Sequence, residues 1–158
     1  MLINPNLLDI TKTTLQKVSY DFNTKIARVV DNYKFARVQF KLPDDLEVGK
    51  EYTFSCKIDN LDGGSELDVM AYPKAAIVGT FIADKGIQSH TFVLNEENTH
   101  IYLYLGPRNK TNGSYKIYNI KLEEGTEDTT YVPYKDNLPE DKQPLLPPEG
   151  NYEEIRAL

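Results

Sequence analysis

The feature that most constrains this chain is a period-two alternation of apolar and polar residues, recurring in short runs with turn-forming clusters between them. Successive side chains of a strand point to opposite faces, so each run suits a strand with one face in a core and the other toward water. The runs are "YKFARVQFKL" (33–42), "EYTFSCKID" (51–59), "ELDVMAY" (66–72), "AIVGTFI" (76–82), "IQSHTFVL" (87–94), "HIYLYLG" (100–106) and "SYKIYNIKLE" (114–123). Near the start, "KVSYDF" and "TKIARVV" read as a further pair. "NLDGGS" between two runs supplies residues that tolerate positive φ, and Pro73 stops the third run. No segment carries a long, capped helical repeat. Eight or nine antiparallel strands are therefore predicted, in an all-β fold whose simplest form is a two-sheet β-sandwich or jelly roll.

The chain has 158 residues, about the size of one domain. Residues 1–135 hold every strand signal and form the predicted jelly-roll sandwich. From Lys135 the composition changes: "KDNLPEDKQPLLPPEGNYEEIRAL" holds four prolines and mixed charges, and few of its residues could continue a ladder. Residues 136–158 are read as a Pro-rich C-terminal arm. Its apolar positions Leu145, Leu146, Tyr152, Ile155 and Leu158 suit docking on a neighbour, because a purely solvated linker has no need of them.

Bulk properties exclude several classes. No apolar run approaches the ~18 residues a membrane helix requires, so no membrane partner is expected. The formal charge of -6 argues against nucleic acid, whose phosphates call for a basic face. The opening "MLINPNLLDITK" lacks a basic n-region and a small-residue cleavage site, so the chain is expected to keep its own N-terminus. Cys56 is the single cysteine, which rules out an internal disulfide or thiolate cluster. It alternates in phase with Tyr52, Phe54 and Ile58 and is read as a buried core thiol.

Three segments, "NLLDIT", "LEVGKEYTFSCKI" and "YKIYNIKLEEGTEDTTYVPY", occur in that order and carry a resemblance. Together they resemble the carbohydrate-binding-module-like jelly rolls of tail, baseplate and other structural proteins of bacteriophages that infect Gram-positive bacteria. In that family a closing strand ending Lys-Leu-Glu, a Gly-Thr turn and a Tyr/Trp-x-Pro segment recur. The matching positions here are Lys121, Leu122, Glu123, Gly125, Thr126, Tyr131, Pro133 and Tyr134. The resemblance covers roughly residues 1 to 135, and it implies a virion structural or accessory protein assembled in the host cytoplasm. Other virion proteins, further copies of the chain in a homo-oligomer, and host cell-wall polysaccharide are the partners it implies. The chain departs from the pattern in having no Trp, which sugar-binding members often use as a stacking platform.

The closing stretch also has a physical reading. Ile120 and Leu122 share one side of the last strand, Gly125 permits a sharp turn, and Pro133 removes a donor where the ladder must end. Tyr131 and Tyr134 are then expected to cover the open end of the core.

Sugar recognition in such a fold sets aromatic faces against the apolar face of a pyranose, with polar side chains fixing hydroxyl groups. With Ile101, Leu103 and Leu105 in the core, His100, Tyr102 and Tyr104 share the outward face. Glu66, Asp68, Met70 and Tyr72 form a similar outward set, and Arg108 and Asn109 follow at the rim. The candidate carbohydrate-binding residues are His100, Tyr102, Tyr104, Tyr72 and Arg108. The same tyrosines could instead be cross-strand pairs, each worth ~0.2–1 kcal/mol to a solvated sheet, or part of a protein interface.

Jelly rolls of this kind can hold a structural Ca²⁺, and "DNLDGGSELD" offers Asp59, Asp62, Glu66 and Asp68. Their spacing does not match the twelve-residue helix-flanked loop, so a solvated acidic turn is the preferred reading and no cofactor is expected. Glu123 and Glu124 are adjacent and face opposite ways on a strand, which suits no paired-carboxylate chemistry. With no phosphate-cradling glycine loop, nucleophile elbow or His-Glu-x-x-His pair either, the chain is expected to be no enzyme.

Overall fold

The alternating runs sort into two layers in a computed structural model of the chain, described here for residues 3–73 and 76–137. Ten strands form in chain order: β1 (Thr14–Gln16), β2 (Val18–Asp21), β3 (Ile26–Val29), β4 (Arg37–Lys41), β5 (Glu51–Asn60), β6 (Glu66–Tyr72), β7 (Ala76–Ile82), β8 (Ile87–Val93), β9 (His100–Tyr104) and β10 (Ser114–Glu124). They make two five-stranded sheets, ordered β1-β4-β9-β6-β7 and β2-β3-β10-β5-β8. Every ladder is antiparallel. The predicted all-β sandwich is the observed fold. Among the described residues no helix is long and apolar enough to cross a membrane.

The core lies between the sheets and takes alternate residues from both. Val38, Phe40, Leu67, Val69, Ile101 and Leu103 enter from the first sheet, and Phe54, Cys56, Ile58 and Leu122 from the second, all at most 1% exposed. Phe54 bridges the layers, its ring centroid 5.4 Å from Phe40 and 5.9 Å from Phe81. Aromatic pairs at such spacings add to area burial, so this trio ties the two sheets together.

The differences from expectation have local causes. The strand total is ten because β1 has only three residues, too few to display an alternation. Lys17 follows it at φ 55°, and this left-handed kink takes the chain from the first sheet into β2 of the second. The strand predicted over 33–42 begins only at Arg37, because residues 33–36 form a turn in which the Ala36 amide donates to the Tyr33 carbonyl (3.1 Å).

Strand β10 contains a bulge between Tyr118 and Lys121, with Asn119 at φ 52°. The extra residue shifts the inward phase from Tyr115 and Ile117 to Ile120 and Leu122, all buried. Asn6 fills the gap in the ladder. Its Nδ2 donates to the carbonyls of Ile120 (3.0 Å) and Val132 (3.1 Å), and its Oδ1 accepts from the amides of Leu8 (3.1 Å) and Leu122 (3.2 Å).

After β10, Gly125 at φ +103° turns the chain back across the outer face of the second sheet. The Thr53 hydroxyl donates to the Gly125 carbonyl (2.7 Å), which helps explain why outward-pointing Thr53 is buried. Lys121 and Glu123, also outward on β10, are buried by the same segment. Lys121 Nζ donates to Thr129 Oγ1 and the Thr130 carbonyl (2.8 Å each), and the Glu123 carboxylate accepts from the Thr129 amide and hydroxyl. Val132 packs with Ile3 in a small second core. The expectation that Tyr131 and Tyr134 cap the main core is corrected for Tyr131, which is 39% exposed, while Val132 is the buried residue of the segment and Tyr134 is half-buried beside Leu7, Leu42 and Pro43. The turn at Gly125 lays the chain first over the outer face of β10 and β5. Leu145, Leu146, Tyr152, Ile155 and Leu158 of the predicted arm lie outside the described residues.

Candidate functional site

The candidate site is the outer face of the first sheet, where β4, β9 and β6 lie side by side. The register sets Lys41, His100 and Tyr72 in one row, Gln39, Tyr102 and Met70 in the next, and Arg37 beside Tyr104. Paired residues point the same way, so these rows share the face opposite the buried Ile101 and Leu103. The structure keeps His100, Tyr102 and Tyr104 on one outward face, as the alternation predicted, and the β6–β9 pairing adds Tyr72 to them.

Within the cluster the roles differ. Tyr72 and Tyr102 stack with centroids 4.5 Å apart and planes 13° from parallel. The Arg37 guanidinium lies over the Tyr102 ring at 4.9 Å and 5.9 Å from the Tyr104 centroid. Tyr72 comes from β6 and Arg37 from β4, on opposite sides of β9, so between them they cover Tyr102. Tyr102 is accordingly 8% exposed and Tyr72 41%. Tyr104 meets Tyr102 edge-on at 6.1 Å and 70°, and stays half-buried. Tyr102 is thus the support of the cluster, while Tyr72 and Tyr104 present surface to solvent.

Arg37 is held in place by its Nε donating to Gln39 Oε1 (2.8 Å) and one terminal nitrogen donating to the Phe35 carbonyl (3.2 Å). Gln39 in turn donates to Thr14 Oγ1 (2.9 Å) on β1. At the other end, His100 Nδ1 lies 2.8 Å from Thr99 Oγ1. Burial, helped by the nearby Lys41 ammonium, pushes the His100 imidazole below its usual pKa of 6.5. Burial raises the Tyr104 phenol, and Arg37 opposes that shift. Both shifts favour the neutral forms of His100 and Tyr104.

Arg108 sits at the rim, held by two carboxylates on β6. Its guanidinium contacts Glu66 at 3.0 Å and Asp68 at 3.2 Å, and Asp68 also accepts from Thr80 Oγ1 (2.9 Å). Asn109 docks this loop on β6, its side chain donating to the Glu66 carbonyl and accepting from the Glu66 amide. Arg37, Gln39 and Lys41 are the site residues that sequence reasoning missed. The inward phase of Ala36, Val38, Phe40 and Leu42 placed them outward, yet only the β4–β9 pairing sets them beside the tyrosines.

The other candidates are dispersed. Asp62 pairs with Lys110 at 2.6 Å, Glu66 and Asp68 share Arg108, and Asp59 accepts from the Tyr118 hydroxyl (3.4 Å). Among the described residues no three His, Cys, Asp or Glu side chains gather to hold a metal. Glu123 is buried in the closing segment, whereas Glu124 is exposed and pairs with Lys50 at 3.0 Å, so the two share no cleft. Cys56 is 1% exposed, and burial pushes its thiol well above the usual range, away from thiolate chemistry.

No known protein family matches the sequence, and no curated protein does. Solved structures do. A point mutant of a family 29 carbohydrate-binding module superposes with a TM-score of 0.51 at 13% identity, over 83% of this chain and 96% of that one. A second family 29 mutant, described as a probe of ligand recognition, gives 0.51 at 14% identity, over 84% and 96%. A family 29 module from Piromyces equi gives 0.48 at 15% identity, over 78% and 88%. At these identities the likeness is one of fold: this chain has the β-sandwich of the carbohydrate-binding modules.

Proposed function

We propose that the chain is a non-catalytic carbohydrate-binding module, with its ligand laid along the outer face of the first sheet over Tyr72 and Tyr104. The observation that carries this reading is the difference in exposure between Tyr72 and the Tyr102 ring that backs it. A sheet that only needed cross-strand stabilisation would gain as much from burying both rings, whereas here a supported aromatic face is presented to solvent. A pyranose offers an apolar face of matching size, and its release of water from a rigid ring costs little ordering entropy. Arg37 and Gln39 on one side, and Asp68 and Arg108 on the other, are the groups suited to its hydroxyls. Each is pre-positioned by its own hydrogen bonds or ion pairs, which reduces the cost of ordering on binding.

Host cell-wall polysaccharide is the ligand class that joins this face to the resemblance of the sequence. The reading as a virion subunit, fastened to other virion proteins or to further copies of the chain, rests on three sequence segments; the aromatic face favours ligand recognition as the primary role. The two roles are compatible in one particle. Calorimetric titration of the purified chain with extracted Gram-positive wall polysaccharide and with soluble plant glucans tests the proposal. Saturable binding that Tyr72→Ala abolishes is the expected result, and binding unchanged in Tyr72→Ala and Tyr104→Ala overturns the site.

A further inference from the structure

The aromatic face leaves the "TYVPY" motif without a ligand-related role. That motif walls a separate slot on the side of the second sheet. The bulge of β10 forms its floor, with Tyr118, Asn119 and Ile120. Leu8 and Ile10 of the N-terminal segment and Tyr20 of β2 close one side, and Tyr131, Pro133 and Tyr134 the other. The volume is about 90 Å³. At roughly 30 Å³ per water, this is room for a group of about three heavy atoms and not for a whole sugar ring.

The lining combines apolar walls with two half-buried polar groups that border the slot, the Lys25 ammonium and the Asn119 side chain. Lys25 faces the exposed Asp21 carboxylate as a nearby charge, and neither group makes a side-chain hydrogen bond among the described residues. Asn119 is held at φ 52° by the bulge of β10, which fixes its place at the border of the slot. A small pocket that is mostly apolar, with a few convergent polar groups, is the general form of a binding site.

We propose that this slot is a second sugar site, which takes the acetamido group of an N-acetylated sugar while the ring stays outside against Tyr131. The carbonyl carbon, carbonyl oxygen and methyl of the acetamido group are three heavy atoms, which matches the volume, and its nitrogen stays at the mouth with the ring. Its methyl suits the contact with Leu8, Ile10 and Pro133, and its carbonyl oxygen is an acceptor for Lys25 or the Asn119 amide. A hydroxymethyl group has no apolar end for these walls. A carboxylate would lose most of its hydration against four tyrosine rings, with one ammonium in return. None of the slot residues belongs to the aromatic face, so the two sites stand or fall separately.

The test is an NMR titration of the ¹⁵N-labelled full chain with methyl N-acetyl-β-glucosaminide and, separately, methyl β-glucoside, which differ only in the acetamido group. The expected result is saturable shifts at Lys25, Asn119 and Tyr131 with the first glycoside alone. Tyr131→Ala, an exposed position whose loss leaves the fold intact, should weaken them at least tenfold, as should Lys25→Met; Tyr72→Ala should leave them unchanged. Equal shifts with both glycosides, shifts confined to residues 100–104, or none at the solubility limit overturn the proposal. Polysaccharide binding that persists in Tyr131→Ala and vanishes in Tyr72→Ala, without slot shifts, overturns it while leaving the aromatic face in place.

Discussion

The Tyr72 ring lies face to face on the Tyr102 ring, 4.5 Å between centroids, and one of the pair is open to solvent while the other is covered. The two positions therefore answer differently to truncation. Tyr72→Ala should weaken polysaccharide binding at least tenfold, about 1.4 kcal/mol, yet lower unfolding free energy by only about 1 kcal/mol, the scale of one aromatic pair. Tyr102→Ala should cost about 3 kcal/mol of stability in urea unfolding, because it empties a covered position. If the two variants were equally destabilised, the division into support and platform would be wrong.

His100 gives the face a pH response. Burial lowers its pKa from 6.5, with Lys41 adding to the effect, so folding favours the neutral ring. Above pH 6.5 both folded and unfolded states hold neutral imidazole, and the contribution is fully present. As pH falls from 6.5 toward the lower folded value, the unfolded state takes up the proton first and stability declines. An NMR titration should place the His100 midpoint below 6.5 and move it upward in Lys41→Met.

Lys121 and Glu123 form a pair at 3.6 Å with side chains 1% and 0% exposed. Burial pushes the Lys121 ammonium down, and Glu123 opposes that shift. Lys121→Met should destabilise the fold by about 3 kcal/mol, since it leaves the buried Glu123 carboxylate with its hydrogen bonds but without its counter-charge. Adding Glu123→Leu should recover part of that loss. A double-mutant cycle by denaturant unfolding reads the coupling, and strictly additive losses would dismiss the pair as a fastening.

Asn6 holds the N-terminal segment, the bulge and the closing segment through both ends of one side-chain amide. Asn6→Ala leaves these backbone groups buried without partners, at a cost of about 3 kcal/mol. Asn6→Asp should fare no better, because a carboxylate cannot donate to the Ile120 and Val132 carbonyls. Thermal melts of the two variants beside the parent chain provide the check.

Cys56 should be inert in the folded protein. A thiol reagent is expected to label it only at the rate of global unfolding, and Cys56→Ser should lose about 1–3 kcal/mol by burying a hydroxyl without a partner. Fast labelling under native conditions would contradict the burial of β5.

Much of the site was legible because a strand commits each side chain to a face. The alternation in "HIYLYLG" placed Ile101, Leu103 and Leu105 inward and His100, Tyr102 and Tyr104 outward, and "ELDVMAY" placed Tyr72 outward, all as observed. Arg108 was legible as a rim residue, though its engagement with Glu66 and Asp68 was not. The closing stretch was read with the wrong cover. Alternation predicts Thr53, Lys121 and Glu123 outward, which is correct, but it carries no information about a later segment folding over them.

The amino-acid order by itself determined the all-β class, the inward set of most strands, the buried thiol and the sharp turn at Gly125. These are properties of neighbours along the chain, set by the period of two and by φ preferences. Tertiary structure decided which strands lie side by side, and with that the placing of Arg37 against Tyr102, the bulge that Asn6 fills and the slot beside it. Pairing partners far apart in sequence are chosen by how the two sheets close over one core, and several orders of the same strands would satisfy the same alternation.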